Sequence, residues 1–379
     1  MKKIAILGLT GSIGRSAADV ILSHRQEFQV VLASSHNNYQ ELFRLSHELA
    51  IPNLLLTNTE LKSRITDTPE NIRLYWGDSE LSQLLAELNP DIVLNAISGS
   101  AGLYSSMVTL SLGIDLALAN KESLVMAGHL INRELQRSAA RLIPVDSEHS
   151  AVLQAIGSTP LSQVRKIILT ASGGPFLQLP PEEFSSITVE RTMQHPTWSM
   201  GPKITVDSAT MLNKALEVIE AHWLFHKDYT DIQAVVHPQS IIHSLVEFCD
   251  GSLLAQLGFP NMKLPILYAL SYPDHLISDL SSTNILDLPW LSFLPLDEER
   301  YPLYYLAVAA SAAGGLMPTI MNAANEAAVT LFLERKISFP AIHRIVADTL
   351  NSQNNFPDPD LETILAANLE TYSRIINDN

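Results

Sequence analysis

Short apolar runs recur through the first 150 residues, at 4–7, 29–33, 53–57, 91–97, 114–118 and 141–145, with amphipathic stretches between them. Alternation of this kind predicts a parallel, doubly wound sheet with helices on both faces. The texture changes after residue 150. Ile167-Ile168-Leu169-Thr170 reads as a strand, and Val235-Val236, Ile241-Ile242 through Val246 and Leu253 to Leu257 read as more strands, enough for a second sheet. Residues 301–313, 318–334, 338–353 and 358–376 carry apolar positions at helical spacing and predict a small bundle. The Pro- and Ser-containing stretch 281–300 reads as a linker. The fold class is therefore α/β: a Rossmann-like doubly wound domain over 1–150, a central α/β domain over 151–280, the linker over 281–300, and a C-terminal helical domain over 301–379.

Composition narrows the class. With 379 residues, two or three domains are expected, and 46% hydrophobic content supplies ample core. The single cysteine, Cys249, excludes an internal disulfide framework, fits a reducing compartment, and is expected to be a small buried hydrophobe. Met1-Lys2-Lys3 runs straight into the strand-like Ile4 to Leu7, and no long uninterrupted apolar segment appears, so a soluble cytoplasmic protein is expected. The net charge of −16 opposes binding to nucleic acid and to anionic membranes. Any phosphate site must then be a local gathering of Lys, His, Asn, Ser and backbone N–H groups.

Several segments have the composition of a site. Gly8-Leu9-Thr10-Gly11-Ser12-Ile13-Gly14 lies between the first strand and a helix, where glycines let the backbone approach a pyrophosphate and the helix N-terminus supplies N–H groups. The second strand ends in His36-Asn37-Asn38 without an acidic residue, which favours NADP over NAD. Asn120-Lys121-Glu122-Ser123 and Asp146-Ser147-Glu148-His149 each follow an apolar run, at the carboxyl ends of strands where α/β folds keep their chemistry. In the helix containing Ser208 to Glu217, Asn213, Lys214 and Glu217 share one face. Three carboxylates, Asp146, Glu148 and Glu217, offer oxygen ligands suited to Mg²⁺ or Mn²⁺, with no Cys or His to favour zinc. Ser172-Gly173-Gly174-Pro175-Phe176 is a turn able to expose N–H groups to phosphate, and the Pro- and Gly-containing stretch from His195 to Lys203, with Trp198 and Met200, reads as part of a lid over about 172–202. His149, beside the carboxylates, is expected to support the ligands or to be structural rather than to bind the ion, and His237 and His243 are expected to be structural.

Taken together these motifs resemble the 1-deoxy-D-xylulose 5-phosphate reductoisomerase family over nearly the whole chain. Further matching segments are His237-Pro238-Gln239-Ser240, Leu257-Gly258 and Asn322-Ala323-Ala324-Asn325-Glu326, the last read as structural. The resemblance implies an NADPH- and divalent-metal-dependent enzyme that rearranges and then reduces a phosphorylated ketose, yielding 2-C-methyl-D-erythritol 4-phosphate for isoprenoid synthesis. It implies metal ligands at Asp146, Glu148 and Glu217, and catalytic roles for these together with Lys121 and His195. Substrate contacts are implied at Lys121, Ser147, Glu148, Ser172, His195, Trp198, Ser208, Asn213, Lys214 and Glu217. Cofactor contacts are implied at Thr10, Gly11, Ser12, Ile13, Asn120, Glu122, Gly201 and Met262, and at His36, Asn37 and Asn38, where the family often has Gly-Lys-Asn. It further implies that the central domain is catalytic and dimerising, and a homodimer is expected. A different NADP-linked oxidoreductase and a silent nucleotide-sensing relative are the rival readings.

Overall fold

The alternating runs of the N-terminal segment form one seven-stranded sheet in the computed structural model, which describes residues 1–194, 197–198, 200–280 and 282–379. Its strands are β1 (Lys2–Leu7), β2 (Phe28–Ser35), β3 (Asn53–Leu56), β4 (Arg73–Trp76), β5 (Ile92–Asn95), β6 (Asp115–Leu118) and β7 (Leu142–Pro144). They are ordered β4-β3-β2-β1-β5-β6-β7, and every pairing is parallel. All four residues of β3 and of β5 are buried, as expected where helices cover both faces. The strand order reverses between β1 and β5, so the carboxyl ends of these two strands mark the crevice where ligands bind in open parallel sheets.

Six of the seven strands fall on the predicted runs. The seventh, β4, escapes the pattern because Arg73-Leu74-Tyr75-Trp76 sits at the sheet edge with no residue fully buried, and an edge strand needs no apolar run.

By contacts the chain forms two units. The first comprises 1–120, 131–150 and 261–281, and the second 121–130, 151–260 and 282–379. The helix Lys263–Ser271, which the sequence reading places in the central segment, joins the first unit. Lys263 pairs with Asp19 at 2.7 Å, and the Lys2 ammonium donates to the Leu270 carbonyl at 2.9 Å.

The second unit is built on β8 (Val164–Ala171), β9 (Ile232–Val236), β10 (Ile242–Phe248) and β11 (Leu253–Leu257), in the order β11-β10-β8-β9. β8 pairs parallel with β9 and antiparallel with β10. Helices Pro302–Ala312, Met317–Leu333, Phe339–Ser352 and Leu361–Asp378 match the predicted bundle. They do not form a core of their own. Ile167 and Leu169 of β8, Leu212, Leu216 and Ile219 of the Leu212–Phe225 helix, and Met321, Ala324 and Leu331 of the bundle share one continuous apolar cluster.

Cys249 departs from its expected burial. It is exposed just beyond β10, in the turn to β11, with its Sγ 3.7 Å from the Ser162 carbonyl. A three-residue turn, Cys249-Asp250-Gly251, closed by the Gly251 N–H on the Phe248 carbonyl at 2.9 Å and with Gly251 at φ +87°, sets that position, so the hairpin rather than hydrophobicity decides where the thiol lies. His237 behaves as a structural histidine: Nε2 accepts from the Ile241 and Ile242 amides, both at 3.2 Å, and Nδ1 meets the Ser292 carbonyl at 2.8 Å. Among the described residues no helix is long and apolar enough to cross a membrane.

Candidate active site

In the first unit the glycine turn fills the crevice at the head of β1. Gly8 has φ +87°, and a Cβ there would lie 2.7 Å from the Ala96 carbonyl oxygen, so only glycine lets the turn pass the end of β5. A Cβ on Gly14 would collide with the carbonyls of Leu9 and Gly8. The helix Ser12–Ser23 starts from Gly11 with no side-chain cap and no acidic residue in its first turn, which leaves its leading N–H groups arranged for an anion. Thr10 Oγ1 lies 2.8 Å from Ser35 Oγ, tying the turn to the end of β2.

Beyond β2, His36 Nδ1 meets Thr57 Oγ1 at 2.8 Å, and Asn37 Oδ1 accepts from the Asn58 amide at 2.7 Å. Asn38 caps the helix Tyr39–Leu49, accepting from the Glu41 N–H at 3.2 Å. Asn120 is buried, and its amide donates to the carbonyls of Ile97 (2.9 Å) and Gly99 (2.7 Å). Met262 stands half-buried ahead of the Lys263–Ser271 helix. At the carboxyl end of β7, Asp146 precedes the helix Ser147–Ile156, its carbonyl accepting from the Ser150 N–H at 2.8 Å. Ser147 donates to Glu148 Oε2 at 2.5 Å.

The second unit carries a cluster of charge around Glu217, whose residue is 1% exposed. Three predicted site residues converge on its carboxylate. Asn213 donates to Oε1 at 2.5 Å, Lys121 Nζ is 3.5 Å from the same oxygen, and Lys214 pairs with Oε2. Lys121 also donates to Asn213 Oδ1 at 2.7 Å. Helical spacing aligns Asn213, Lys214 and Glu217, as expected from the sequence, but the single helix expected over Ser208–Glu217 is broken: one helix ends at Ala209, Met211 turns left-handed at φ +60°, and a second begins at Leu212. The arrival of Lys121 from 92 residues away was legible only through the resemblance.

Ser172 follows β8, and Ser208 lies in the helix Pro202–Ala209. A Cβ on Gly174 would be 2.8 Å from the Ser208 carbonyl oxygen, so this glycine allows the two serine-bearing segments to meet. The predicted lid contains short helical turns at Pro181–Ser186 and Val189–Thr192. Trp198 is half-buried, with its ring 6.1 Å from that of His243. Gly201 precedes the Pro202–Ala209 helix and accepts from the Thr205 hydroxyl at 2.9 Å. His195 lies outside the described residues.

Sequence reasoning missed two features here. Glu122, expected at the cofactor, is buried in an ion pair: its Oε1 is 2.9 Å from Lys203 Nζ, which also lies 2.9 Å from Asp207 Oδ2. Asn325 of the bundle completes the chain by donating to Asp207 Oδ1 at 2.8 Å. Burial alone would raise the Glu122 carboxyl, but Lys203 overrides it and holds Glu122 below its ordinary range. Burial would likewise lower Lys203, and the carboxylates of Asp207, Glu122 and Glu326 overcome this and raise it. The second omission is Arg300-Tyr301, where the predicted linker meets the predicted helical domain, which bonds to the Ser172–Leu179 turn. No local pattern signals either feature, since the partners lie more than a hundred residues apart in the second case.

The strand order and glycine turn of the first unit define a dinucleotide-binding protein of the Rossmann class. Comparison with known proteins sharpens this. The family model described as 1-deoxy-D-xylulose 5-phosphate reductoisomerase matches residues 4–128, the model of that enzyme's C-terminal domain matches 142–225, and a second, DXP reductoisomerase C-terminal domain, matches 257–374. The reductoisomerase of Listeria monocytogenes is 44% identical over 99% of both chains, and that of Microcystis aeruginosa 45% identical over 97% of this chain and 96% of its own. Among solved structures, the Zymomonas mobilis reductoisomerase in complex with NADPH superposes with a TM-score of 0.91 at 36% identity, covering 99% of this chain and 98% of that one. A reductoisomerase in complex with NADPH, fosmidomycin and magnesium gives 0.92 at 34% identity, covering 100% and 98%. The chain belongs to the 1-deoxy-D-xylulose 5-phosphate reductoisomerase family.

Proposed function

We propose that this protein converts 1-deoxy-D-xylulose 5-phosphate into 2-C-methyl-D-erythritol 4-phosphate, using NADPH and a divalent cation, Mg²⁺ or Mn²⁺. The observation that carries the reading is the buried Glu217 carboxylate met by Lys121, Asn213 and Lys214, on a chain whose relatives bind NADPH, magnesium and fosmidomycin. Full-length identity of 44% to reductoisomerases supports the substrate.

The donor set fits a hard cation: Asp146, Glu148 and Glu217 supply only carboxylate oxygen, and we assign them as its ligands. When bound, such an ion polarises a carbonyl and acidifies a neighbouring hydroxyl. The residues around Glu217 would then act on the substrate itself. Lys121 and Asn213, already linked at 2.7 Å, present an ammonium and an amide to its hydroxyl oxygens, with Lys121 and Glu148 as the candidates for proton transfer. Ser172, Ser208, Asn213 and Lys214 would hold the phosphate, a cationic pocket working against a chain of net charge −16. Ser147, His195 and Trp198 are assigned to the substrate as well, Trp198 closing over it and excluding water.

NADPH supplies hydride. The uncapped N-terminus at Gly11, Ser12 and Ile13, beside Thr10, would take its pyrophosphate. His36, Asn37 and Asn38 would face the 2′-phosphate, and Asn120, Glu122, Gly201 and Met262 the nicotinamide half. Glu122 and Asn120 would act there through the segments they brace, because their side chains already hold Lys203 and the Ile97 and Gly99 carbonyls.

A cytoplasmic homodimer without nucleic-acid or membrane partners completes the proposal. The outer strand β11 supports a second copy, since Leu253 and Leu254 are each 50% exposed along an unpaired edge, an arrangement that single chains avoid. The decisive experiment follows NADPH oxidation with 1-deoxy-D-xylulose 5-phosphate in the presence of Mn²⁺ or EDTA and identifies the product. Turnover that EDTA abolishes, yielding the branched polyol phosphate, is expected. Reduction without rearrangement would favour a different NADP-linked oxidoreductase.

A further inference from the structure

The segment that follows β2, His36-Asn37-Asn38, carries no permanent cation, although the cofactor assigned to it bears a 2′-phosphate. All three residues are exposed, and their side chains are already engaged: His36 with Thr57, Asn37 with Asn58, and Asn38 with the Glu41 N–H. His36 also faces Asp78, whose carboxyl burial pushes up and the imidazole draws back in part, so any charge on the ring is shared with a carboxylate. A phosphate monoester carries about −1.5 to −2 at neutral pH. Amides alone would leave that charge facing a chain of net charge −16.

Arg15 reaches this corner from the first helix. It is exposed, the fourth residue of Ser12–Ser23, and its Nη1 donates to the Thr10 carbonyl, so the side chain folds back over the glycine turn. Thr10 is itself fastened to the last residue of β2, with its Oγ1 2.8 Å from Ser35 Oγ. Glu41, in the first turn of the helix Tyr39–Leu49, gives a second bearing: its carboxyl is held low first by the Arg44 hydrogen bond and also by the charge of Arg15. Arg15 thus stands between the glycine turn and the start of the helix after β2. Glu41 does not consume its charge, because Arg44 takes that carboxylate bidentately, Nε on Oε2 and Nη2 on Oε1, both at 2.8 Å. Arg44 reaches Glu48 as well, at 2.5 Å, and is saturated by carboxylates. Arg15 gives an N–H of its five to an uncharged carbonyl and keeps the rest of its fork.

We propose that Arg15 reads the 2′-phosphate of NADPH and so sets the preference of this chain for NADPH over NADH. The inference rests on the cofactor reading above, with the adenosine end at the head of β2, where proteins of the Rossmann class hold the ribose 2′ position. A guanidinium is permanently charged, and its planar fork matches two oxygens of one phosphate. His36, Asn37 and Asn38 then add hydrogen bonds to a charge that Arg15 balances. NADH has a hydroxyl in place of the phosphate and gains little from a cation there.

The test is a fluorescence titration of NADPH and of NADH into the full chain, for the parent, Arg15→Gln and Arg15→Lys, with a melting curve to check that each is folded. Arg15→Gln is expected to raise the NADPH dissociation constant roughly thirtyfold, the scale of hydrogen bonds to a charged group, and to leave that of NADH within about twofold. Arg15→Lys keeps the charge but not the fork, and should fall between parent and Arg15→Gln for NADPH. With NADPH saturating, kcat should stay within about twofold, since the adenosine end does not react. Equal loss for both cofactors would move Arg15 to the pyrophosphate, and an unchanged NADPH affinity would remove it from the site; either result overturns the proposal. A parent that binds NADH as tightly as NADPH would instead sink the cofactor reading, and the proposal with it. Should Arg15→Gln fail to fold, Arg15→Lys decides, with a severalfold loss for NADPH alone expected and an unchanged NADPH affinity counting against the proposal.

Discussion

Replacing Lys203 by methionine probes the buried charge network of the second unit. Methionine keeps most of the apolar stem but strips the ammonium that lies 2.9 Å from both Glu122 and Asp207. Those carboxylates belong to residues only 7% and 1% exposed, and water cannot replace the lost partner for either. Breaking a buried pair by removing one partner costs about 3–5 kcal/mol, and because 32% of the Lys203 side chain is exposed the low end, about 3 kcal/mol, applies. In a unit of this size that corresponds to a melting temperature lower by roughly 6–12 °C. The pH dependence has a definite sign. Glu122 is held below its ordinary value of 4.5, so its contribution is present above that pH and lost as pH falls through the folded-state value. Lys203 is raised above 10.5, so its contribution is complete below that pH and lost as pH rises through the higher folded-state value. Between those limits the parent keeps the whole network. In Lys203→Met, Glu122 loses the ammonium that holds its carboxyl low and takes up a proton more readily than in the parent, and the gap between the two melting curves should narrow as pH falls from about 7 to about 4. Calorimetry of both chains across that range is the assay. A variant within about 0.5 kcal/mol of the parent at neutral pH, or a gap that stays constant with pH, would refute the reasoning.

Three further outcomes follow from the geometry. Gly14→Ala drives a methyl into the Leu9 and Gly8 carbonyls and should weaken NADPH binding by at least about tenfold in a fluorescence titration; unchanged affinity would detach the turn from the cofactor. His237→Leu removes the acceptor of two backbone N–H groups and should cost about 2–3 kcal/mol in urea unfolding, and a neutral result would contradict the structural role. Cys249, exposed in its hairpin turn, should react with a thiol reagent in the native protein while Cys249→Ser stays within about 0.5 kcal/mol of the parent; an unreactive thiol would place it inside after all.

The parallel sheet was legible because strands buried on both faces must be apolar throughout, as in Ile92-Val93-Leu94. Arg73-Leu74-Tyr75-Trp76 was not, since an edge strand with one solvated side imposes no such pattern. The bundle's helices were readable from their spacing, but nothing periodic announced that they share a core with β8, because a buried face looks alike whichever neighbour covers it. Within the site, Asn213, Lys214 and Glu217 were visible as a helix face. Residues that act at a distance were less so. Asn325 was matched only as part of a motif, and its hydrogen bond to Asp207 joins side chains 118 positions apart. Tyr301 was hidden in the apolar start of a helix, where its hydroxyl gives no local sign that it reaches Gly173.

The central claim is that carboxylates distant in the sequence hold a single divalent ion for the substrate. Titration of Mn²⁺ by electron paramagnetic resonance, on the parent and on Asp146→Asn and Glu217→Gln, tests it most directly. The account predicts one saturable site per chain that either substitution alone abolishes, while NADPH affinity and the melting curve of Asp146→Asn stay near those of the parent. Parental Mn²⁺ affinity in both variants would contradict it.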